Sequence, residues 1–175
     1  MKTMIICADG LEECEALMTY DLLYRAGIDV ELVGLKKEIV SSHRLTFIPH
    51  KLLIDADPNE YDCMVLPGGM PGTLNLENDK LVQALLTHFL DHGKLVCAIC
   101  AAPSILLHRG LLKDGEFTCF PGFEGDLVPA DVKAIQCGNI ITGKGLGAVV
   151  EFASLIIENL VSKEKAEEVR KKIQY

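Results

Sequence analysis

Short apolar runs alternate along this chain with longer segments of helical period, and this alternation constrains the fold more than any other feature. Cys63–Leu66 and Leu95–Ile99 are apolar throughout, as expected of strands buried on both faces. Such strands occur in parallel sheets whose two faces are covered by helices. The sequence therefore predicts an α/β protein with a mainly parallel central sheet between helical layers.

The predicted elements follow one another without a Ser/Pro-rich linker or an internal repeat, so we expect a single domain over residues 1–175. Strands are predicted at Thr3–Cys7, Val30–Gly34, Leu45–Ile48, Leu52–Ile54, Cys63–Leu66, Leu95–Ile99, Phe117–Phe120 and Ile140–Thr142. Helices are predicted at Glu13–Ala26, Asp79–Asp91, Ala101–Arg109, Val149–Leu160 and Lys163–Ile173.

The charge balance narrows the range of partners. Seventeen Lys and Arg residues stand against 25 Asp and Glu residues, giving a net charge of −8, and no basic run could neutralise a row of phosphates. We expect no nucleic-acid or membrane partner. The apolar stretch near the N-terminus is too short for a secretory signal, and about 18 successive uncharged apolar residues occur nowhere, which predicts a cytoplasmic location.

A cysteine at a predicted strand-to-helix junction is the leading candidate for chemistry. Cys100 follows the Leu95–Ile99 strand directly and has Ala98, Ala101 and Ala102 as small neighbours. Small residues allow the tight turn of a nucleophile elbow, which projects one side chain over the sheet edge. Because the next helix begins beside it, we expect the thiol pKa to be lowered. The alternative is one more buried cysteine.

The sequence gives weaker support to two other roles for cysteine, a dithiol pair and a zinc site. Cys97 and Cys100 have the C-x-x-C spacing of a dithiol redox pair, but Cys97 lies inside a predicted strand and not at a helix start. A zinc site would need a second C-x-x-C or H-x-x-H pair, which is lacking, and we expect no metal. The seven cysteines are an odd number and lie in apolar segments, so most are expected to be buried.

One glutamate occupies an apolar stripe of the first predicted helix. Leu11, Glu15, Met18 and Leu22 are spaced four, three and four residues apart, which places Glu15 on the inward face. Burial would raise the pKa of this carboxyl and let it exchange a proton with a thiol or a substrate. The alternative is an ordinary acid in the first turn, which the helix dipole favours.

Two glycines follow the buried strand Cys63–Leu66. Gly68 and Gly69 permit backbone conformations that direct N–H groups into the crevice at the end of the strand. Together with the N–H of Ala101, they would form an oxyanion hole facing Cys100. An ordinary glycine turn is the alternative.

Four segments, in this order, resemble one protein family over nearly the whole chain. They are Ala8–Glu15, Val65–Gly69, Ala98–Pro103 and Gly145–Gly147. The sequence is similar to the ThiJ/PfpI superfamily, and within it to the branch of the parkinsonism-associated protein deglycase and its bacterial relatives. This resemblance implies a flavodoxin-like three-layer fold with a nucleophile elbow, a homodimer, and no cofactor.

The resemblance also assigns site residues. Cys100 corresponds to the family's reactive cysteine, Glu15 to its buried glutamate, and Gly69 and Ala101 to the backbone donors around the site. Arg44 corresponds to an arginine that approaches from the partner subunit. Further possible contacts with the substrate or the partner subunit are Gly68, Met70 and Phe120.

The sequence departs from the family pattern at two positions. Protease-like members have a histidine directly after the cysteine, whereas this chain has Ala101, so proteolysis is not expected. Other members of the close branch place a histidine beside the site where this chain has Phe120. An acid–base role is lost there, and proton transfer falls to Glu15.

The resemblance implies several functions. We expect a cysteine-dependent, cofactor-free enzyme that acts on reactive dicarbonyls or their adducts, as a glyoxalase or deglycase does, and that is linked to carbonyl or oxidative stress. The alternatives from the same family are a non-enzymatic cysteine redox sensor and a holdase-type chaperone.

Overall fold

A computed structural model describes residues 1–175 and is built on a seven-stranded sheet. The strands of the chain are β1 (Lys2–Cys7), β2 (Asp29–Gly34), β3 (Ile39–Val40), β4 (Thr46–Phe47), β5 (Lys51–Leu52), β6 (Cys63–Leu66), β7 (Leu95–Ile99), β8 (Ala134–Cys137) and β9 (Ile140–Gly143). The large sheet has the order β5-β2-β1-β6-β7-β9-β8, and only its edge strand β8 is antiparallel to its neighbour. Strands β3 and β4 form a separate hairpin.

Helices cover both faces of this sheet, which confirms the predicted three-layer architecture. They are α1 (Glu13–Arg25), α2 (Gly72–Asn78), α3 (Lys80–Asp91), α4 (Pro103–His108), α5 (Val149–Leu160) and α6 (Lys163–Lys172). Alternate strand residues enter two cores: in β1, Ile5 packs with α1, α5 and α6, whereas Ile6 packs with α2, α3 and α4. The strands are therefore apolar at successive positions because both faces are buried.

The strand order brings three loops to one place. Five of the six parallel strands, β2-β1-β6-β7-β9, have the flavodoxin-like order 2-1-3-4-5, whose direction of winding reverses between β1 and β6. Ligand sites in open α/β sheets lie outside the carboxyl ends of the strands at this switch point. The segments after β1, β6 and β7 carry Glu15, Gly68 and Cys100, so the topology gathers the predicted site.

The predicted strand Phe117–Phe120 is wrong. These residues form an irregular segment in which Phe117 and Cys119 are buried in the core beside α3 and α4. The Thr118 N–H donates to the side-chain hydroxyl of Thr142 at 2.9 Å and not to a strand backbone. Apolar alternation here reflects a buried loop, which periodicity alone does not distinguish from a strand.

Smaller differences concern the short elements. The predicted Leu45–Ile48 strand is reduced to β4 in the separate hairpin, and the predicted Leu52–Ile54 strand is replaced by β5 followed by a 3₁₀ turn at Leu53–Asp55. Helix α4 begins at Pro103 and not at Ala101. Strands β3 and β8 and helix α2 were not predicted. No helix has the length and apolarity needed to cross a bilayer.

Candidate active site

Cys100 occupies the strand-to-helix turn that the sequence predicted. Its φ of 65° lies in the left-handed region, which non-glycine residues adopt only when their surroundings impose it. Two backbone hydrogen bonds hold Cys100 in this conformation. Its N–H donates to the Gly143 carbonyl at 2.9 Å, and its carbonyl accepts from the Phe120 N–H at 2.8 Å. The side chain is half-buried, whereas Cys7, Cys63, Cys97 and Cys119 are fully buried. Cys100 is thus held in a nucleophile elbow.

Glu15 is fully buried in the first turn of α1. The cap of the helix directs it there, because the Glu12 carboxylate accepts a hydrogen bond from the Glu15 N–H at 2.6 Å. The buried face of α1 continues through Thr19 and Leu22, whereas Met18 is 37% exposed. The prediction that Glu15 points inward is confirmed, but Met18 does not belong to the stripe.

Gly68 brings the carboxyl and the thiol side chains together. Its N–H donates to Glu15 Oε2 at 2.9 Å. A methyl group at this position would lie 2.6 Å from Cys100 Cβ and 2.7 Å from Glu15 Oε2, closer than van der Waals contact allows. Only glycine therefore permits this approach, and the requirement is steric because its φ is not in the left-handed region.

Burial dominates the electrostatics of the pair. Removal from water raises the pKa of Glu15 from its ordinary 4.5 to about 7, a rise that nearby Glu12 increases and that contacts from Cys100 and the Gly68 and Leu146 amides oppose. Oε1 of Glu15 is buried and has no well-formed hydrogen bond. Near neutral pH the carboxyl can therefore either hold or accept a proton.

The predicted lowering of the Cys100 pKa is wrong. Burial, followed by the negative charge of Glu15 and its hydrogen bond with the thiol, raises the Cys100 pKa to about 12, although the Ala101 and Gly69 amides oppose the rise. Two of these causes require an ionised Glu15. The two groups are therefore coupled: an ionised Glu15 holds the proton on Cys100, and a thiolate forms as that proton passes to Glu15.

The backbone donors predicted for an oxyanion hole lie at the sulfur. The N–H groups of Gly69 and Ala101 both contact the Cys100 thiol. Gly69 has a φ of 89°, a conformation that glycine adopts without a steric penalty. Both predicted amides therefore lie at the Cys100 sulfur.

The remaining predicted residues differ in their relation to Cys100. Phe120 lies beside it, 50% exposed, through the hydrogen bond described above, and Met70 is 43% exposed in the segment after β6. Arg44 lies at the exposed tip of the β3–β4 hairpin, and its side chain makes no hydrogen bond or ion pair within the chain. The structure therefore does not bring Arg44 to Cys100 of the same chain.

The Cys97 sulfur and the histidine rings at the C-terminal end of α3 lie outside this site. Cys97 is fully buried, and its sulfur is 3.7 Å from that of Cys63 on the neighbouring strand. His88 and His92 stack with ring centroids 4.1 Å apart. The one cluster with metal-ligand geometry joins Glu12, Glu13 and His43, whose ligand atoms lie within 4.8 Å of one another, but Glu12 already caps α1.

An open cavity of about 420 Å³ lies next to Cys100 across Gly145, which lines it. Cys100 and Glu15 do not line this cavity, and most of its walls were not predicted. A methyl group at Gly145 in this wall would lie 3.8 Å from Cys100 Sγ. The residues missed as part of the site are Lys133, Lys144 and Leu146. The Gly145–Gly147 motif was the one sequence signal that pointed to this wall.

Fold and site together define a flavodoxin-like α/β protein with a cysteine at a nucleophile elbow, next to a buried carboxyl whose pKa is raised to about 7. Residues 1–159 match the model of the DJ-1/PfpI family. The chain belongs to the DJ-1/PfpI family, as the sequence motifs predicted.

Individual relatives are similar to this chain over almost its full length. The chain is 35% identical over 177 residues to "Protein dj-1beta" of Drosophila melanogaster, covering 97% of this chain and 95% of that protein. It is 30% identical over 174 residues to a Caenorhabditis elegans protein named glutathione-independent glyoxalase DJR-1.2, covering 96% and 92%. The crystal structure of Drosophila melanogaster DJ-1beta superposes with a TM-score of 0.92 at 34% identity and covers 99% of this chain and 97% of that one.

Proposed function

We propose that this protein is a cysteine-dependent, cofactor-free enzyme that converts 2-oxoaldehydes, such as methylglyoxal, into 2-hydroxyacids. The observation that carries the proposal is the half-buried Cys100 thiol beside Glu15, a carboxyl that exchanges its proton near pH 7. The C. elegans relative named a glyoxalase supports the same chemistry. Adducts of dicarbonyls with amines have a similar electrophilic carbon and are proposed as further substrates.

The first step is addition of the thiol to the aldehyde. A bond forms between Cys100 Sγ and the aldehyde carbon, while the thiol proton passes to the Glu15 carboxylate. The carbonyl π pair moves onto oxygen, where the amides of Gly69 and Ala101 stabilise the negative charge. Glu15 then returns the proton to this oxygen, and the product is a hemithioacetal.

The second stage is a proton shift followed by hydrolysis. Glu15 accepts the proton from the former aldehyde carbon, and the electron pair forms an enediolate with the adjacent ketone carbon. Glu15 returns its proton to that carbon while the hydroxyl proton of the hemithioacetal passes to the former ketone oxygen, which gives a thioester of the 2-hydroxyacid. Water attacks the thioester, the carbon–sulfur bond breaks, and the thiol regains its proton. The aldehyde carbon is oxidised and the ketone carbon is reduced, so no external oxidant is needed.

A product assay tests this proposal. Purified protein without glutathione and with a chelator is expected to convert methylglyoxal to lactate in many turnovers per Cys100, because the proposed proton shift uses only groups of the chain. Lactate is measured by NMR against methylglyoxal consumed. Consumption that stops at one equivalent per chain without lactate would show that Cys100 only forms an adduct, and would overturn the proposal.

We propose dimerisation as part of the same function. The exposed Arg44 has no partner in its own chain, and in the family pattern the matching arginine approaches the site of the second subunit. Its position on the β3–β4 hairpin, which pairs with the start of α1 through His43 and Glu13 at 3.1 Å, is consistent with this arrangement.

Redox sensing is a second candidate function. Cys100 is the cysteine that combines partial exposure with two amide donors and a carboxyl that can donate its proton, groups that would bind sulfinate oxygens. Two equivalents of peroxide would oxidise the thiol to a sulfinic acid and release two water molecules. We expect peptide mass spectrometry after mild peroxide treatment to show two added oxygen atoms on Cys100. An unmodified Cys100 beside oxidised Cys14 and Cys137 would contradict this function.

A further inference from the structure

The cavity next to Cys100 indicates which substituent the substrate carries. We propose that the preferred substrates are 2-oxoaldehydes with a bulky apolar substituent, such as a branched alkyl or aryl group, and not methylglyoxal itself. This inference rests on the proposed function, because it names the substrate class of the same site.

The position of the cavity fixes which part of a substrate would occupy it. Gly145 lies in its wall, and a methyl group there would be 3.8 Å from Cys100 Sγ and 3.5 Å from Cδ2 of Phe120. The sulfur and the aromatic ring therefore both lie next to the same glycine of the cavity wall. A substrate bonded to the sulfur through its aldehyde carbon would extend its substituent toward Phe120.

The rim of the cavity is apolar and open to water. Phe120 is 50% exposed and Leu146 is 48% exposed, and Pro121 and Ala148 complete the apolar part of the wall. Phe123 packs against the Phe120 ring edge to face, with centroids 6.5 Å apart, and so supports its orientation. Exposed apolar side chains next to a nucleophile are stabilised when a ligand covers them.

The polar groups of the wall are already paired. Lys133 contacts the Glu151 carboxylate at 2.6 Å and the Tyr175 hydroxyl at 3.0 Å. Lys144 contacts the Asp131 carboxylate at 2.9 Å. Each lysine therefore has an ion-pair partner within the chain, whereas the side chains of Phe120 and Leu146 stay about half exposed. The cavity volume of about 420 Å³ also far exceeds what the methyl group of methylglyoxal can fill.

A pair of alkyl substrates tests the proposal. Methylglyoxal and 4-methyl-2-oxopentanal carry the same reacting carbons and differ only in the alkyl substituent. We expect kcat/KM to be about 10-fold higher or more for the branched aldehyde, in line with the discrimination that apolar pockets achieve. Phe120→Ala and Leu146→Ala are expected to move the ratio of the two values toward one. Leu81→Ala removes an exposed apolar side chain far from this cavity and should leave the ratio unchanged.

A labelling experiment separates this proposal from the proposed function. The rates at which N-cyclohexylmaleimide and N-methylmaleimide label Cys100 are compared by peptide mass spectrometry, which needs no turnover. The apolar site predicts a rate ratio that favours the cyclohexyl reagent and falls in Phe120→Ala. If neither aldehyde is turned over but this ratio holds, the proposed function fails and the apolar site stands. If methylglyoxal is turned over but neither ratio responds to Phe120→Ala, the substrate class is overturned alone.

Discussion

Replacing Cys100 by serine is expected to lower the turnover of methylglyoxal by about 10³-fold or more, the scale found when a covalent nucleophile is removed. A hydroxyl keeps the shape of the side chain but gives up its proton far less readily than a thiol. Glu15, with a pKa of about 7, is too weak a base to compensate. The measurement is lactate formation at saturating methylglyoxal.

A matched variant controls for the change of atom. Cys137→Ser makes the same substitution at an exposed position of β8, and we expect it to retain wild-type turnover. Thermal unfolding of both variants establishes that Cys100→Ser is folded. Substantial lactate formation by a folded Cys100→Ser variant would show that the thiol is not the nucleophile, and with it the proposed mechanism would fail.

Glu15→Gln is expected to be more stable than the wild type at pH 8 and to lose that advantage at pH 4. The carboxyl ionises near pH 7 in the folded state and near pH 4.5 when unfolded. Between these values the folded protein holds a proton that the unfolded chain has released, so wild-type stability falls as pH rises through this window. The rise of the Glu15 pKa from 4.5 to about 7 corresponds to a loss of about 3 kcal/mol in the free energy of unfolding once the carboxyl is ionised. Glutamine does not ionise and is not subject to this cost.

Urea unfolding at several pH values measures this difference directly. The free energy of unfolding of Glu15→Gln minus that of the wild type should increase by about 3 kcal/mol between pH 4 and pH 8. Glu168→Gln is the control, because Lys165 and Lys172 lower the pKa of this exposed carboxyl to about 2, so its difference should stay flat between pH 5 and pH 8. A flat curve for Glu15→Gln would mean that Glu15 is not held uncharged in the folded protein.

Both predictions follow from the conflict between stability and catalysis at Glu15. Burial of Glu15 beside Cys100 lowers stability above neutral pH but supplies a proton acceptor where the thiol needs one. Functional sites commonly retain such costs, since the group that destabilises the fold is the one that does the chemistry. Glu15→Gln is therefore expected to gain stability and lose turnover together.

Most of the sheet could be predicted because burial on both faces leaves a clear pattern. Strands β1, β2, β6, β7 and β9 were predicted within one residue at each end. The segment Phe117–Phe120 shows the limit of the pattern, since a loop buried in the core needs apolar residues as much as a strand does. Edge strand β8 was missed because it is only partly buried and carries a mixed sequence.

The site was predicted in its residues but not in its proton chemistry. Small neighbours marked the turn at Cys100, and helical spacing placed Glu15 inward. The pKa of the thiol depends on how deeply it is buried and on the charge beside it. Neither can be read from the position of Cys100 before the start of a helix. Nothing in the sequence indicated that Lys133 and Lys144 line the same cavity, because they belong to separate loops that only the fold brings together.

The sequence by itself determined the layers of the fold, the family, and the residues that carry the chemistry, because each leaves a local signature in spacing or side-chain size. Tertiary structure alone decided that Cys100 and Glu15 shift each other's pKa and that a largely apolar cavity lies next to Cys100 across Gly145. Both depend on the distance and solvation of groups far apart along the chain, and only the order of the strands brings those groups together.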